Sequence, residues 1–213
     1  MGNLMGDERV TKVAAWLHDY ADTITEHSQE LTDLDREIGD ADHGFNMARG
    51  VKAIAALDPA QFADPGAYLK KVGMTLVSTV GGAAGPLYGT LFLRMATALP
   101  TDTALTTATF AKALRAGLEG VTQRGKSAVG DKTMVDALAP AVERLEADAA
   151  AGDKLANALK HASTAAQQGR DATVDLVARR GRASYLGERS KGHLDPGAAS
   201  LTMLIESAAR TLS

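Results

Sequence analysis

Three aspartates fall within eight residues of the segment Asp35-Arg36-Glu37-Ile38-Gly39-Asp40-Ala41-Asp42-His43-Gly44. Unpaired, the carboxylates of Asp35, Asp40 and Asp42 repel one another, and Gly39 and Gly44 stand where the backbone must turn sharply. A hard divalent cation relieves that repulsion, since Mg²⁺ takes a few carboxylates and completes a near-octahedral shell with water and phosphate oxygens. The same residues also suit a solvated acidic loop in which Asp42 or His43 caps the helix that follows. Spacing alone leaves both readings open. A calcium EF-hand is excluded, because neither Asp35 nor Asp40 as first ligand puts glycine at position six and glutamate at position twelve.

Three further segments have chemistry in their composition. Gly81-Gly82-Ala83-Ala84-Gly85-Pro86 joins two apolar stretches, so its amides and the helix start beyond it could cradle an anion; a tight helix-helix turn explains it equally well. It lacks the preceding strand and the glycine spacing of a dinucleotide fingerprint. Gly120-Val121-Thr122-Gln123-Arg124-Gly125-Lys126-Ser127 matches the P-loop expression letter for letter. A P-loop needs a buried strand before it and a helix directly after it, whereas Phe110 to Val121 has helical spacing and Ala128-Val129-Gly130 starts no helix. The P-loop reading is therefore rejected, with Gly125 and Lys126 kept as candidates to line a site. Arg182 to Gly197 mixes cations with glycines, as a loop closing over phosphates would, and arginine suits phosphate through its bidentate fork. A solvent loop with surface ion pairs is the alternative. His18, His27 and His161 lie in helical patterns and read as ordinary helix residues, while Trp16 and Tyr88 read as packing residues.

The elements that must position these loops are helices. Val10, Val13, Ala14, Leu17, Ala21 and Ile24 make one apolar stripe at steps of three and four, and Leu31 and Leu34 continue the spacing up to Asp35. A second helix is predicted from Gly44 through Met47, Val51, Ile54 and Leu57, ending before Asp58-Pro59. Asp64-Pro65 opens a third, which carries Leu69, Val72, Leu76 and Val80 to the break at Gly81-Gly82. Pro86 opens a fourth through Leu87, Leu91, Met95 and Leu99, with Pro100 closing it. Phe110, Leu114, Leu118 and Val121 define a fifth. A sixth takes Met134, Leu138, Val142 and Leu145, with Pro140 expected to kink it or loosen its first half. A seventh spans Lys154 to Val177, an irregular stretch covers Arg179 to Leu194, and Asp195-Pro196 caps an eighth.

Composition agrees. The chain is 45% hydrophobic but only 4% aromatic, with 40 alanines, and alanine is the strongest helix former. With 213 residues and no repeat or dividing linker, the expectation is an all-α, single-domain, eight-helix antiparallel bundle spanning 1–213. Alternate loops of an up-and-down bundle share an end, so the unusual loops after the first, third, fifth and seventh helices would form one site. Zero cysteines exclude disulfides, thiolate zinc sites and a cysteine nucleophile. A net charge of -3, from 23 Lys+Arg against 26 Asp+Glu, argues against nucleic acid as a partner. No apolar run approaches the ~18 residues of a membrane span. An acidic first 30 residues is unlike a signal or transit peptide, and a cytoplasmic location is expected.

Taken together, the loops resemble one family: the nucleotide-binding L subunit (DhaL) of dihydroxyacetone kinase and the equivalent domain of single-chain kinases. The resemblance is carried by Leu34 to Gly44, by Gly81 to Gly89, by Gly130-Asp131-Lys132-Thr133-Met134-Val135-Asp136-Ala137-Leu138, and by Ala183 to Gly197. It covers essentially the whole chain and favours the metal reading of the aspartates. It implies an eight-helix barrel with ADP or ATP held at one end by two Mg²⁺ ions, ligated by Asp35, Asp40 and Asp42. His43, Gly44, Phe45, Asn46, Ala83 and Ala84 would meet phosphates, and Gly125 and Met134 would line the adenine pocket. Arg182, with a catalytic role, and Asp195, Pro196 and Gly197 would complete the site. The family usually has serine or threonine where this chain has Ala84, so the contact expected there is through the backbone.

The implied activity is phosphoryl transfer to a short keto sugar, with metal ions neutralising phosphate charge and an arginine steadying the moving group. The resemblance also implies a partner K subunit (DhaK-type) that holds the substrate covalently on a histidine. In phosphotransferase-dependent systems it implies a third, DhaM-type subunit whose phosphohistidine recharges resident ADP; in single-chain relatives ATP exchanges freely. Contact with a transcription regulator and a homodimeric state are further expectations. A chain starting at Met1 and ending on a helix favours the separate-subunit form, although such a subunit could still use exchanging ATP or serve another small polyol, and a non-catalytic nucleotide-sensing or regulator-binding module is the alternative from another class.

Overall fold

The computed structural model describes residues 7–99 and 104–212. Nine α-helices and no strands occur among them: α1 (Glu8–Glu26), α2 (Ser28–Ile38), α3 (His43–Ala55), α4 (Pro65–Thr79), α5 (Ala84–Ala98), α6 (Thr107–Gly125), α7 (Met134–Ala150), α8 (Leu155–Ala172) and α9 (Pro196–Thr211). Eight of them form a closed ring in which each packs on the next, in the order α1, α3, α4, α5, α6, α7, α8, α9 and back to α1. The short α2 lies outside that sequence of neighbours, against α3 and α9. The eight-helix barrel is thus present, with α2 as an addition that leads into the acidic loop.

The stripes read from the sequence face inward. Trp16 sits in the centre, its ring centroid 5.5 Å from Phe110 and 6.1 Å from Phe92, and its Nε1–H donates to the Leu204 carbonyl at 2.9 Å. That bond ties α1 to α9 across the closure of the ring. Small residues supply the rest of the packing. A Cβ on Gly73 would lie 2.9 Å from the Gly89 carbonyl oxygen, so α4 and α5 touch backbone to backbone, which accounts for a core built with few aromatics. Asp64 and Asp195 each accept an amide of the helix they precede, at 2.8 Å from Ala67 and 2.7 Å from Ala198, with proline next in both cases.

Several boundaries differ from the sequence expectation. The first helix is two helices, broken at His27, whose backbone (φ -95°, ψ 13°) departs only slightly from helical. The expected fourth helix opens at Ala84 rather than Pro86, and the expected second stops at Ala55, short of Leu57. The expected seventh ends at Ala172 instead of Val177 and continues as a 3-10 turn, Thr173–Asp175. Pro140 neither ends nor interrupts α7. Its missing N–H leaves the Asp136 carbonyl without its usual partner, and Gly169 of α8 fits there: a Cβ on Gly169 would come within 2.1 Å of that oxygen. The stretch expected to be irregular folds into 3-10 turns over Arg182–Ser190, broken at Gly187. Pro100 lies outside the described residues.

Candidate functional site

A cleft of about 680 Å³ opens at one end of the barrel and is lined by residues from α2 to α3, the α4–α5 turn, the segment after α6, and the stretch that leads into α9. These are the four unusual loops, gathered as alternate connections of an up-and-down ring must be. Asp35, Asp40, Asp42, His43, Asn46, Ala83, Ala84, Gly125, Met134, Arg182, Asp195, Pro196 and Gly197 all line it. Gly44 and Phe45 do not. Gly44 is buried in the α2–α3 contact, where a Cβ would meet the Ser28 carbonyl at 1.8 Å, and the Phe45 side chain is exposed.

Within the acidic rim the capping contact falls to one aspartate. Asp42 occupies the position before α3 but makes no capping bond with its side chain. Asp35, seven residues upstream, does so instead: its Oδ2 accepts the amides of Asp42 at 2.9 Å and His43 at 3.2 Å. The approach requires Gly39, because a Cβ there would lie 2.0 Å from Asp35 Oδ1, and it bends the chain through a positive φ of 59° at Ala41. One carboxylate oxygen from each of Asp35, Asp40 and Asp42 lies within 4.8 Å of the others. A set of oxygens with neither thiolate nor imidazole suits a hard cation such as Mg²⁺.

Beside this set, His43 is half-buried, and its desolvation pulls its imidazole below the usual range even though Asp35 and Asp42 act in the opposite direction. The ring is therefore neutral near pH 7. Its Nε2 lies 2.9 Å from Ser200 Oγ, which in turn lies 2.7 Å from the buried Tyr88 hydroxyl, so a chain of side chains running into the core orients it. Tyr88 is thus a packing residue that also faces the cleft. Asn46 Oδ1 accepts from Arg49 Nη2 at 2.8 Å and sits so close to Gly81 that a Cβ there would approach it to 2.6 Å. Ala83 precedes α5 without any side-chain cap, and Ala83 and Ala84 line the cleft, so the start of that helix is placed to offer amides to an anion.

The opposite rim is cationic. Arg182 Nε lies 3.1 Å from Asp40 Oδ2, so it reaches across to the acidic rim. Arg180 lines the cleft and pairs with Asp131 at 3.4 Å. Asp195 is buried, and burial, with Asp136 and Asp35 adding to it, pushes its carboxyl up to about 7 against the opposing pull of the Ala198 amide and Lys132. The P-loop look-alike is helix: α6 runs through Gly120 to Gly125, and Lys126 ends it in a left-handed conformation, φ 49°. Arg124, Gly125 and Ser127 reach the cleft, and Lys126 is not among its lining residues.

Sequence reasoning missed Lys132, Arg180 and Ser200. Lys132 carried one available signal, its place between Gly130 and the capping residue Thr133 in a segment too short and polar for a core.

The chain is similar to known proteins over most of its length. The model of the DAK2 domain matches residues 37–210. The ADP-binding subunit DhaL of the PEP-dependent dihydroxyacetone kinase of Escherichia coli is 46% identical over 197 residues, which cover 92% of this chain and 94% of the relative. The corresponding PTS-dependent subunit of Lactococcus lactis is 44% identical over 192 residues, 90% of this chain and 92% of the relative. Among solved structures, the dihydroxyacetone kinase of C. freundii in complex with AMP-PNP and Mg²⁺ matches with a TM-score of 0.73 and 26% identity over 99% of this chain. The match takes in 37% of that larger protein.

Proposed function

The chain belongs to the DAK2 domain family, and from that premise we propose that it is the nucleotide-binding, phosphoryl-transferring subunit of a dihydroxyacetone kinase, residues 1–213 acting as one domain. The observation that carries the proposal is the convergence of Asp35, Asp40 and Asp42 within 4.8 Å on a cleft whose far rim presents Arg182. The three carboxylates would hold Mg²⁺, as two ions, and bound Mg²⁺ supplies neutralisation of phosphate charge.

The chain's own residues do the rest. The uncapped start of α5 at Ala83 and Ala84 offers amide donors to a phosphate, through the backbone because Ala84 has no hydroxyl. The neutral His43 ring, fixed by Ser200 and Tyr88, and the Asn46 amide define the neighbouring wall. Gly125 and Met134 give the cleft its apolar floor for a base. Arg182, which pairs with Asp40 at 3.1 Å, would supply a bidentate donor for charge developing on the transferred group.

Relatives named as PEP- and PTS-dependent support a resident ADP recharged by a phosphohistidine donor subunit (DhaM-type) over freely exchanging ATP. The acceptor, a short keto sugar, would arrive on a DhaK-type partner. A homodimeric state, a cytoplasmic location and contact with a transcription regulator belong to the same proposal. Among the described residues, no helix is long and apolar enough to cross a membrane.

The test is whether Mg²⁺ and ADP bind together. Ligand at a hundredfold excess over its Kd stabilises the native state by ~2.7 kcal/mol, so the melting temperature should rise with Mg·ADP and fall after EDTA and exhaustive dialysis. An unchanged melting temperature, with no nucleotide released from purified protein on mass spectrometry, would overturn the assignment.

A further inference from the structure

Among the described residues, Lys132 is the one lysine with a fully buried side chain. Its backbone is left-handed, φ 63°, which turns the side chain away from the run of α7 and into the protein. There Nζ donates to three main-chain carbonyls: Thr173 at 2.7 Å, Leu176 at 3.2 Å, and His193. An ammonium has three protons, and all three are spent on backbone. The acceptors are not neighbours in the chain. Thr173 and Leu176 stand before Arg182 in the chain, and His193 stands after it.

The surrounding bonds describe a neck. Gly192 N–H donates to the Val174 carbonyl at 2.7 Å, and Arg179 N–H to the Asp131 carbonyl at 3.0 Å. The Ala178 amide donates to Ser190 Oγ at 2.8 Å, and that hydroxyl donates to the Gly187 carbonyl at 2.7 Å. Asp131, beside Lys132, accepts from Arg180. The Thr173 hydroxyl receives the Asp195 amide at 3.1 Å, which joins the neck to the first turn of α9. Residues 131 and 132 thus hold both feet of the 176–194 loop. Beyond the neck, Arg182, Tyr185 and Lys191 are exposed, so the neck is where the loop is fixed.

We propose that Lys132 is a positioning residue: it clamps the two feet of the 176–194 loop by its three carbonyl bonds, and so holds Arg182 over the acidic rim and Asp195 at the start of α9. Lys132 also lines the cleft, but its three ammonium protons are taken by carbonyls, so this role does not require it to touch nucleotide. The statement about Arg182 rests on the proposed phosphoryl-transfer function; the clamp itself does not.

The experiment compares wild type, Lys132→Met and Lys132→Arg in the full chain, each with and without Arg182→Ala. Amide hydrogen exchange without nucleotide reads the clamp, and Mg·ADP affinity with turnover in the presence of partner subunits reads Arg182. Losing three charge-assisted bonds should speed exchange of the 176–194 amides by about tenfold or more while α4 and α5 stay protected. Lys132→Arg, which keeps the charge and several donors, should recover part of that protection.

In turnover, kcat should fall while KM for the acceptor, held on the partner, stays put. Arg182→Ala should add less than about twofold in the Lys132→Met background, because the arginine has already lost its position. Unchanged loop exchange in a folded Lys132→Met protein, or losses that multiply with Arg182→Ala, would overturn the proposal. Should Lys132→Met fail to fold, Ser190→Ala loosens the same neck more gently: faster loop exchange with weaker Mg·ADP binding supports the clamp, and no change in either sinks it. A wild type that does not bind Mg·ADP refutes the function and leaves the exchange data to decide the clamp.

Discussion

The two rims of the cleft are built in opposite ways. The acidic rim is local: Asp35, Asp40 and Asp42 come from eight consecutive residues, shaped by Gly39 and by the capping bonds of Asp35. The cationic rim is assembled from afar, since Lys132 reaches residues 41, 44 and 61 positions away before Arg182 has a fixed place. A local rim offers its chemistry in the order of its residues. A non-local rim consists of ordinary loop residues until the fold brings them together, and its function is then sensitive to changes at positions that touch no substrate.

Substitutions can break that contrast. The largest effect is expected at Asp40 or Asp42: replacement by alanine should weaken Mg·ADP binding by at least ~100-fold, since even residues supporting a ligand cost 10- to 100-fold, and turnover with partner subunits should vanish. Neither aspartate has a capping bond to lose, so the melting temperature of the ligand-free protein should hold for both. Asp35→Ala should lose binding and also cost ~1 kcal/mol of stability as the cap of α3 disappears; calorimetry of the three variants without ligand separates them. If all three melt alike, the division between ligand and cap is wrong.

Arg182→Ala should come next, lowering kcat with partner subunits by roughly 10- to 100-fold through loss of a charge-assisted contact. Arg182→Lys should recover little if the planar fork matters.

The third effect concerns pH. Asp195 has its carboxyl pushed up to about 7 by burial, so the folded state holds its proton more tightly than the unfolded chain, whose carboxyl titrates near ~3.9. That contribution to stability is fully present below the unfolded value and is lost as pH rises through about 7. Asp195→Asn keeps a capping oxygen and cannot ionise. Its melting temperature relative to wild type, both without ligand, should therefore climb between pH 5 and pH 8, and a flat difference would show that Asp195 is not held in its neutral form.

The smallest effect should be Lys126→Ala. Lys126 ends α6 outside the cleft lining, so Mg·ADP affinity measured by calorimetry should change little; a loss matching that of Asp42→Ala would restore the P-loop reading.

Much of the fold was legible because helix spacing is a short-range signal: the stripes on α4, α5, α6, α7 and α9 need only their own residues. The division of α1 from α2 was not, because the apolar spacing passes through His27 without interruption and His27 itself is nearly helical. The overrun of α8 has a tertiary cause. Thr173 is a buried residue whose hydroxyl bonds Arg170 and Asp195 and whose carbonyl meets Lys132, and those partners stop the helix where its own sequence does not. The glycine loops and the clustering of Asp35, Asp40 and Asp42 could be read directly. That Asp35 and not Asp42 caps α3 could not, since it depends on which oxygen the turn at Gly39 and Ala41 brings near an amide. Lys132 stood in a segment that carries the resemblance, but its role could not be read, because its acceptors Thr173, Leu176 and His193 lie 41, 44 and 61 positions away.

The place of Trp16 has a spectroscopic consequence. It is the only tryptophan in the chain, it is fully buried, and it does not line the cleft. Its indole is enclosed by Phe92 and Phe110 and bonded to the α9 carbonyl that closes the ring. Intrinsic emission on tryptophan excitation therefore comes from one apolar, water-free environment, and it should stay nearly constant while nucleotide fills or leaves the far end. It should shift to the red when α1 parts from α9, so the protein carries a built-in optical reporter for opening of the barrel that is blind to occupancy of its site.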